Sequence, residues 1–290
     1  MGQRRHIAGS RMLITGASQG IGRALAEAAT RRGAKLVLVA RSEDRLHHLA
    51  AELRAGGAAV EAVVADVTNP ADRQRMLQAA VDRFGGLDIL INNAGIGATG
   101  HFAEASEERL RKIMEVNFFA LAETIRLAVP ILRNGNRPMI VNISSVVGKR
   151  ALPARSEYSA SKYAVQGLSE ALRAELVRYG IDVLVVCPGL TATNFPQNMI
   201  ENRAKWPMDH KRSMTAAEVA EQTLRAIEKG KREVVLTGAG RLLVWLNRFF
   251  PRLVDALVAR KVRSLYRDEM EARTRRPHEQ EKREEVEAAR

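Results

Sequence analysis

Met12-Leu13-Ile14-Thr15-Gly16-Ala17-Ser18-Gln19-Gly20-Ile21-Gly22 is the stretch that decides the fold. A short apolar run ends in a glycine-rich turn, and a helical pattern runs from Ile21 to Arg32 with Gly33 as its stop signal. Gly16 allows a tight turn out of a strand. Gly20 lets backbone approach a pyrophosphate with no Cβ in the way, and Gly22 lets helix and strand pack closely. A helix starting there offers free N–H groups and a partial positive charge to phosphates. The spacing is G-x3-G-x-G, distinct from the G-x-G-x-x-G of other dinucleotide folds. Such a turn can be purely structural, but its place between first strand and first helix favours a nucleotide.

Outward from that turn, strand and helix alternate. Leu36 to Ala40 is an apolar run suited to a strand covered on both faces. Ser42 reads as the cap of a helix through Ala55, which Gly56-Gly57 ends. Val60 to Ala65, Leu87 to Ile91, Met139 to Ile143, Asp182 to Val186 and Glu233 to Leu236 read as further strands. Between them fall helices over Pro70 to Phe84, from about Ser106, over Tyr158 to Tyr179 with a stop at Gly180, and over Thr215 to Lys229. Right-handed βαβ crossovers of this kind build one doubly wound α/β domain, here a seven-stranded parallel sheet over residues 8–240.

The 290 residues are 46% hydrophobic, which excludes disorder throughout and supplies one large core or two small ones. No run of about 18 uncharged apolar residues occurs, so no membrane-spanning helix is expected. One cysteine, Cys187, excludes an internal disulfide and a cysteine-based zinc site; it reads as a buried small residue. His47, His48, His101 and His210 are not read as ligands, so no metal is expected. The basic N-terminus lacks an apolar run before Leu13 and does not resemble a secretory signal, so a cytoplasmic location is expected. The formal charge is +13 and uneven: Arg241 to Arg267 carries +6, while Asp268 to Arg290 carries −2. Without a clustered basic helix or basic residues interleaved with aromatics, no nucleic-acid partner is expected.

Further motifs fall at matching places: Asn92-Asn93-Ala94-Gly95 after the fourth strand, Tyr158-x3-Lys162 on a helix, Ser145 thirteen residues before Tyr158, and Pro188-Gly189 after the sixth strand. Together with Thr15-Gly16-x3-Gly20-Ile21-Gly22, residues 8–240 resemble the short-chain dehydrogenase/reductase family, whose fold is Rossmann-type. The resemblance implies an oxidoreductase acting on a carbonyl or secondary alcohol. It implies a cofactor held by Thr15, Gly16, Ser18, Gln19, Gly20, Ile21, Gly22, Asp66, Val67, Asn93, Ala94, Gly95, Tyr158, Lys162, Pro188, Gly189, Thr191 and Thr193. Ala40 stands where NAD-type members carry Asp, and Arg41 follows it. A base there would pair with a 2′-phosphate, so the resemblance implies NADP(H), with Arg45 and Arg23 adding positive potential. Arg41 as a solvated helix-start residue and Asp66 as a helix cap are the competing readings.

Tyr158 and Lys162, four apart, share a helix face. A free tyrosine titrates near 10, and a neighbouring ammonium favours its phenolate. The resemblance makes Tyr158 the general acid/base, Lys162 its pKa-lowering partner and holder of the nicotinamide ribose, and Ser145 the donor that polarises the carbonyl. Asn117 matches the asparagine that kinks the long helix and holds a relay water in this family. Chance packing is the bland alternative for each, and the joint spacing speaks against it.

Residues 190–214 resemble a substrate lid, with Phe195, Met199, Ile200, Trp206 and Met208 facing an apolar or lipid-like substrate on closure. Lys205, His210, Lys211 and Arg212 would suit an acidic group on the substrate, or equally a solvated loop surface. Residues 241–290 form an addition. Leu242 to Asp255 is apolar with basic punctuation, Pro251 breaks it, and a second helical piece runs to about Tyr266. It suits the domain's own surface, where it would roof the substrate cleft, a second subunit of a dimer or tetramer, or an anionic membrane through 242–265. The rival functions are 3-oxoacyl thioester reduction and a non-enzymatic NADPH-binding or membrane-surface role. Intact Ser145, Tyr158 and Lys162 count against the non-enzymatic role.

Overall fold

The computed structural model describes residues 5–203 and 213–267. The strands are β1 (Arg11–Thr15), β2 (Lys35–Ala40), β3 (Val60–Val64), β4 (Ile89–Asn92), β5 (Met139–Ile143), β6 (Asp182–Cys187), β7 (Thr191–Ala192), β8 (Met214–Thr215) and β9 (Glu233–Val235). The helices are α1 (Gly20–Thr30), α2 (Glu43–Ala55), α3 (Pro70–Phe84), α4 (Glu107–Met114), α5 (Ala120–Leu132), α6 (Ser156–Glu175), α7 (Ala216–Glu228), α8 (Gly238–Phe249) and α9 (Pro251–Leu265). Seven strands make one sheet in the order β3-β2-β1-β4-β5-β6-β9, with every neighbouring pair parallel.

Successive strand residues point to opposite faces, which divides the apolar runs between two cores. Met12, Ile14, Leu36, Leu38, Ile89 and Ile91 meet α1, α2 and α7 on one face. Leu13, Val37, Val39, Leu90 and Ile140 meet α3, α5 and α6 on the other. This is why the strands lack the polar alternation of a half-exposed sheet.

The boundaries agree with the sequence expectations to within a few residues, and the departures have local causes. Ser42 sits at the start of α2, but its hydroxyl accepts from Arg45 Nε (3.1 Å) instead of capping a helix amide. The helix expected over Tyr158 to Tyr179 begins at Ser156, and its last turn, Leu176–Tyr179, tightens into a 3-10 turn before Gly180. The fourth strand is Ile89–Asn92. The long helix from Ser106 is interrupted by a wider π turn at Glu115–Phe119, centred on Asn117. Thr191 and Ala192 pair with Met214 and Thr215, which clasps together the two ends of the segment expected as a lid. Upstream of residue 8, Arg5 is buried against Asp182 (2.7 Å) and the Arg137 carbonyl (2.8 Å).

The C-terminal hairpin of α8 and α9 packs on the domain. Arg150 donates to Asn247 Oδ1 (3.2 Å) and Asp255 (2.7 Å), and His101 Nε2 bonds the Tyr266 hydroxyl (2.8 Å). The expected residues Trp206, Met208, Lys205, His210, Lys211, Arg212 and the tail from Asp268 lie outside the described residues.

Candidate active site

The strand order reverses between β1 and β4, and loops leaving the carboxyl ends of those strands diverge there. A cleft of about 580 Å³ opens at this point. Its floor is held by reciprocal bonds between two loops. Thr15 Oγ1 accepts from the amides of Asn93 and Ala94, both at 3.0 Å. Asn93 Nδ2 donates back to the carbonyls of Thr15 (2.9 Å) and Gly16 (3.1 Å). Gly16 is left-handed at φ 66°, and a Cβ on Gly22 would lie 2.1 Å from the Gly16 carbonyl oxygen. Gly16, Ser18, Gln19, Gly20 and Ile21 line the cleft; Thr15 and Gly22 lie behind it and shape the turn. Among the described residues no side chain caps α1, and its first turn holds no acid, so its amides stay available to an anion.

At the far end of the cleft stand Arg41, Asp66 and Val67. Arg41 is 68% exposed and 3.7 Å from Asp66. Arg45 lines the cleft and donates to Gln19 (2.7 Å). Arg23, expected to add potential there, instead pairs with Glu27 (2.8 Å) and Glu52 (2.9 Å) outside the cleft. Asp66 does not cap α3, a role Asn69 fills; it accepts from the amide and hydroxyl of Thr68 and turns the chain.

Ser145, Tyr158 and Lys162 converge on the cleft from the end of β5 and from α6. Burial pushes the Tyr158 hydroxyl up to about 12, against its hydrogen bond to Ser145 and the charge of Arg155. Burial pushes the Lys162 ammonium down to about 8. Lys162 Nζ donates to the Ile143 carbonyl (2.9 Å) and stands 5.7 Å from the Tyr158 ring centroid. Ser145 and Arg155 both act to draw the tyrosine down, against its burial. Ser144 bonds the Lys162 carbonyl (3.3 Å), which leaves Ser145 facing the cleft.

Asn117 is buried and does not line the cleft. Its amide bridges Ile96 in both directions, Nδ2 to the carbonyl (2.9 Å) and Oδ1 from the amide (2.8 Å), and Nδ2 also reaches Ser161 Oγ (3.0 Å). It thus ties the π turn to the loop that carries Gly95. Asn93, Ala94, Gly95, Pro188, Gly189, Thr191 and Thr193 all line the cleft. So do Phe195 and Met199, with the Phe195 ring 5.8 Å from that of Tyr158, whereas Ile200 does not. Cys187 is buried and its thiol is pushed up to about 12 by that burial, as an inert residue should be.

Sequence reasoning missed two contributors, Arg155 and Arg109, and named the C-terminal segment as a roof of the cleft without its residues. Arg155 lines the cleft beside Tyr158, where burial lowers its proton affinity and Tyr158 raises it. It follows Ala154, a non-glycine residue at φ 59°, which turns the chain into α6. Ala239, Gly240 and Leu243 of α8 supply one wall. Arg109, buried on α4, makes two bonds to Glu157 and one to Glu201 (2.8 Å), joining the base of the lid to the helix of Tyr158. No local pattern marks partners 48 and 92 positions apart.

A nucleotide-sized cleft at the switch point of a parallel sheet, with a Ser-Tyr-Lys cluster in it, defines a dinucleotide-dependent oxidoreductase fold. Residues 10–204 match the family model described as short chain dehydrogenase. The chain belongs to the short-chain dehydrogenase/reductase family. It is 33% identical over 271 residues to dehydrogenase/reductase SDR family member 7B of Bos taurus, covering 90% of this chain and 83% of that one. It is 39% identical over 197 residues to the granaticin polyketide synthase putative ketoacyl reductase 1 of Streptomyces violaceoruber, covering 66% and 71%. Among solved structures it resembles a family member from Burkholderia phymatum in complex with NAD (TM-score 0.78, 30% identity, 86% of this chain and 96% of that one). It also resembles one from Burkholderia cenocepacia J2315 in complex with NADP (TM-score 0.72, 28% identity, 82% and 100%).

Proposed function

We propose that this chain is an NADP(H)-dependent reductase of apolar or lipid-like ketones, working reversibly on the corresponding secondary alcohols. The observation that carries the reading is the convergence of Ser145, Tyr158 and Lys162 on a cleft whose substrate side is walled by Phe195, Met199 and Leu243. The residues present fit the cofactor: α1 offers uncapped amides to its phosphates, Arg41 suits a 2′-phosphate, Asp66 and Val67 suit the adenine, and Lys162 suits the nicotinamide ribose. The bound nicotinamide supplies or takes the hydride. Tyr158 donates or accepts the proton at the substrate oxygen, Ser145 orients that oxygen, and Asn117 holds the loop and helix that frame them. Residues 8–240 form the catalytic unit with its lid over 190–214, and 241–290 are an addition to it. The reading further takes the protein as a cytoplasmic homo-oligomer, dimer or tetramer, with peripheral lipid contact through 242–265.

A second reading, reduction of a 3-oxoacyl thioester, is favoured by the name of the Streptomyces relative and uses the same residues. A screen of NADPH and NADH oxidation against aldehydes, ketosteroids, 3-oxoacyl thioesters and long-chain ketones separates the two. Faster NADPH oxidation on apolar ketones is expected; NADH preference would overturn the Arg41 argument. The Tyr158→Phe variant should lose about 10²–10⁴-fold in kcat while binding NADPH as before by fluorescence titration. Normal turnover in that variant would sink the assignment of the proton to Tyr158.

A further inference from the structure

Six of the large apolar side chains left exposed lie on the α8–α9 hairpin: Leu242, Trp245, Phe249, Phe250, Leu253 and Leu257. Leu242, Trp245 and Phe249 fall on one stripe of α8, and Trp245 packs on Phe249 (5.4 Å) and Phe250 (6.1 Å) across the turn at Pro251. The ridge then continues onto α9 through Leu253 and Leu257, four apart. The opposite side of the hairpin is already spent on the domain, through Val254, Asn247, Asp255 and Tyr266.

The charges around this ridge are of one sign. At helical spacing Arg241 and Arg248 border the α8 stripe, and Arg260 lies one turn beyond Leu257. With Arg252, Lys261, Arg263 and Arg267 these make seven basic residues, all exposed, and among the described residues none of them forms an ion pair. The only acid from Arg241 to Arg267, Asp255, is exposed but neutralised by its pairing with Arg150 (2.7 Å).

We propose that the hairpin is a docking surface for an anionic lipid bilayer. A second copy of this chain presented to the same face would set like charges against each other, whereas anionic headgroups complement them while Trp245, Phe249 and Phe250 enter the interface. No helix among the described residues is long and apolar enough to cross a membrane, so the hairpin lies on it. The same helix carries Leu243, Gly240 and Ala239 into the cleft wall, so docking sets that wall beside the lipid. The docking deepens the lipid contact of the proposed function by naming its surface and the headgroup charge it takes, and only this last step rests on the proposed apolar substrate.

Flotation of the full chain with vesicles tests it. The protein should rise with phosphatidylcholine–phosphatidylglycerol vesicles, stay behind with pure phosphatidylcholine, and be released by high salt. Arg248→Gln and Arg252→Gln should each weaken binding about fivefold, and Trp245→Ser about tenfold or more. All three should reduce a water-soluble ketone at the parent rate, which confirms that they fold. Failure of the full chain to float, or flotation unchanged in all three variants, overturns the proposal. So does sedimentation showing a dimer that Trp245→Ser dissociates, since a second copy would then occupy the face. Loss of vesicle-stimulated turnover on long-chain ketones with flotation intact would strike the apolar-substrate reading and leave the docking standing.

Discussion

The two ends of the cleft are built from different materials. At the phosphate end the fit is to backbone: two glycines give the clearance, and the Thr15 hydroxyl and Asn93 side-chain amide bond main-chain groups to lock the loop after β1 to the loop after β4. At the α8 end the parts are side chains: Phe195 and Met199 from the segment after β7, and Leu243 from α8. The first end tolerates almost no change of residue because it is a matter of atomic clearance. The second is a matter of volume and polarity, which many side chains satisfy.

Substitutions sharpen that contrast. Gly22→Ala puts a methyl 2.1 Å from the Gly16 oxygen and 2.6 Å from Asn93 Nδ2, so both loops must move. It should cost about 1–3 kcal/mol in denaturant unfolding and weaken cofactor binding with it. A fully stable variant would show the turn to be looser than its geometry implies. Between the two ends, Lys162 is a buried cation whose folded value, about 8, lies below its ordinary 10.5. Its charge therefore destabilises the fold below about pH 8, and the cost disappears as pH rises toward 10.5. Lys162→Met should raise stability at pH 7 by on the order of 1–2 kcal/mol, with the gain fading over that window and activity lost. A drop in Tm at pH 7 would show that the bond to the Ile143 carbonyl outweighs the charge. Leu243→Ala should leave Tm nearly unchanged and raise KM for long-chain ketones about fivefold at constant kcat. Equal loss on short and long ketones would remove α8 from the substrate wall.

The same contrast governs what the sequence disclosed. The β1–α1 turn was legible because only glycine meets its clearances, and the strands because burial on both faces demands unbroken apolar runs. Tyr158, Lys162 and Ser145 were legible through their joint spacing. Arg109 with Glu157 and Glu201 was not, since a buried ion cluster is defined by tertiary neighbours and each member reads singly as a solvated charge. Neither was the β7–β8 clasp, because a two-residue strand carries no periodicity. The apolar run after residue 241 was visible, but only packing shows that Leu243 faces the cleft while Leu242 and Trp245 face out.

The β7–β8 clasp also bears on how such a protein changes over generations. The chain departs from β7 after Ala192 and rejoins β8 at Met214, two adjacent points. Closing a loop costs free energy that grows only logarithmically with its length, about 0.6 kcal/mol per doubling. Insertions or deletions beyond Arg203, past the residues that line the cleft or bond Arg109, should leave the sheet and the cofactor end undisturbed. The segment proposed as the substrate lid is therefore expected to drift in length and composition more freely than the β1–α1 turn, which is held to its residues by clearance.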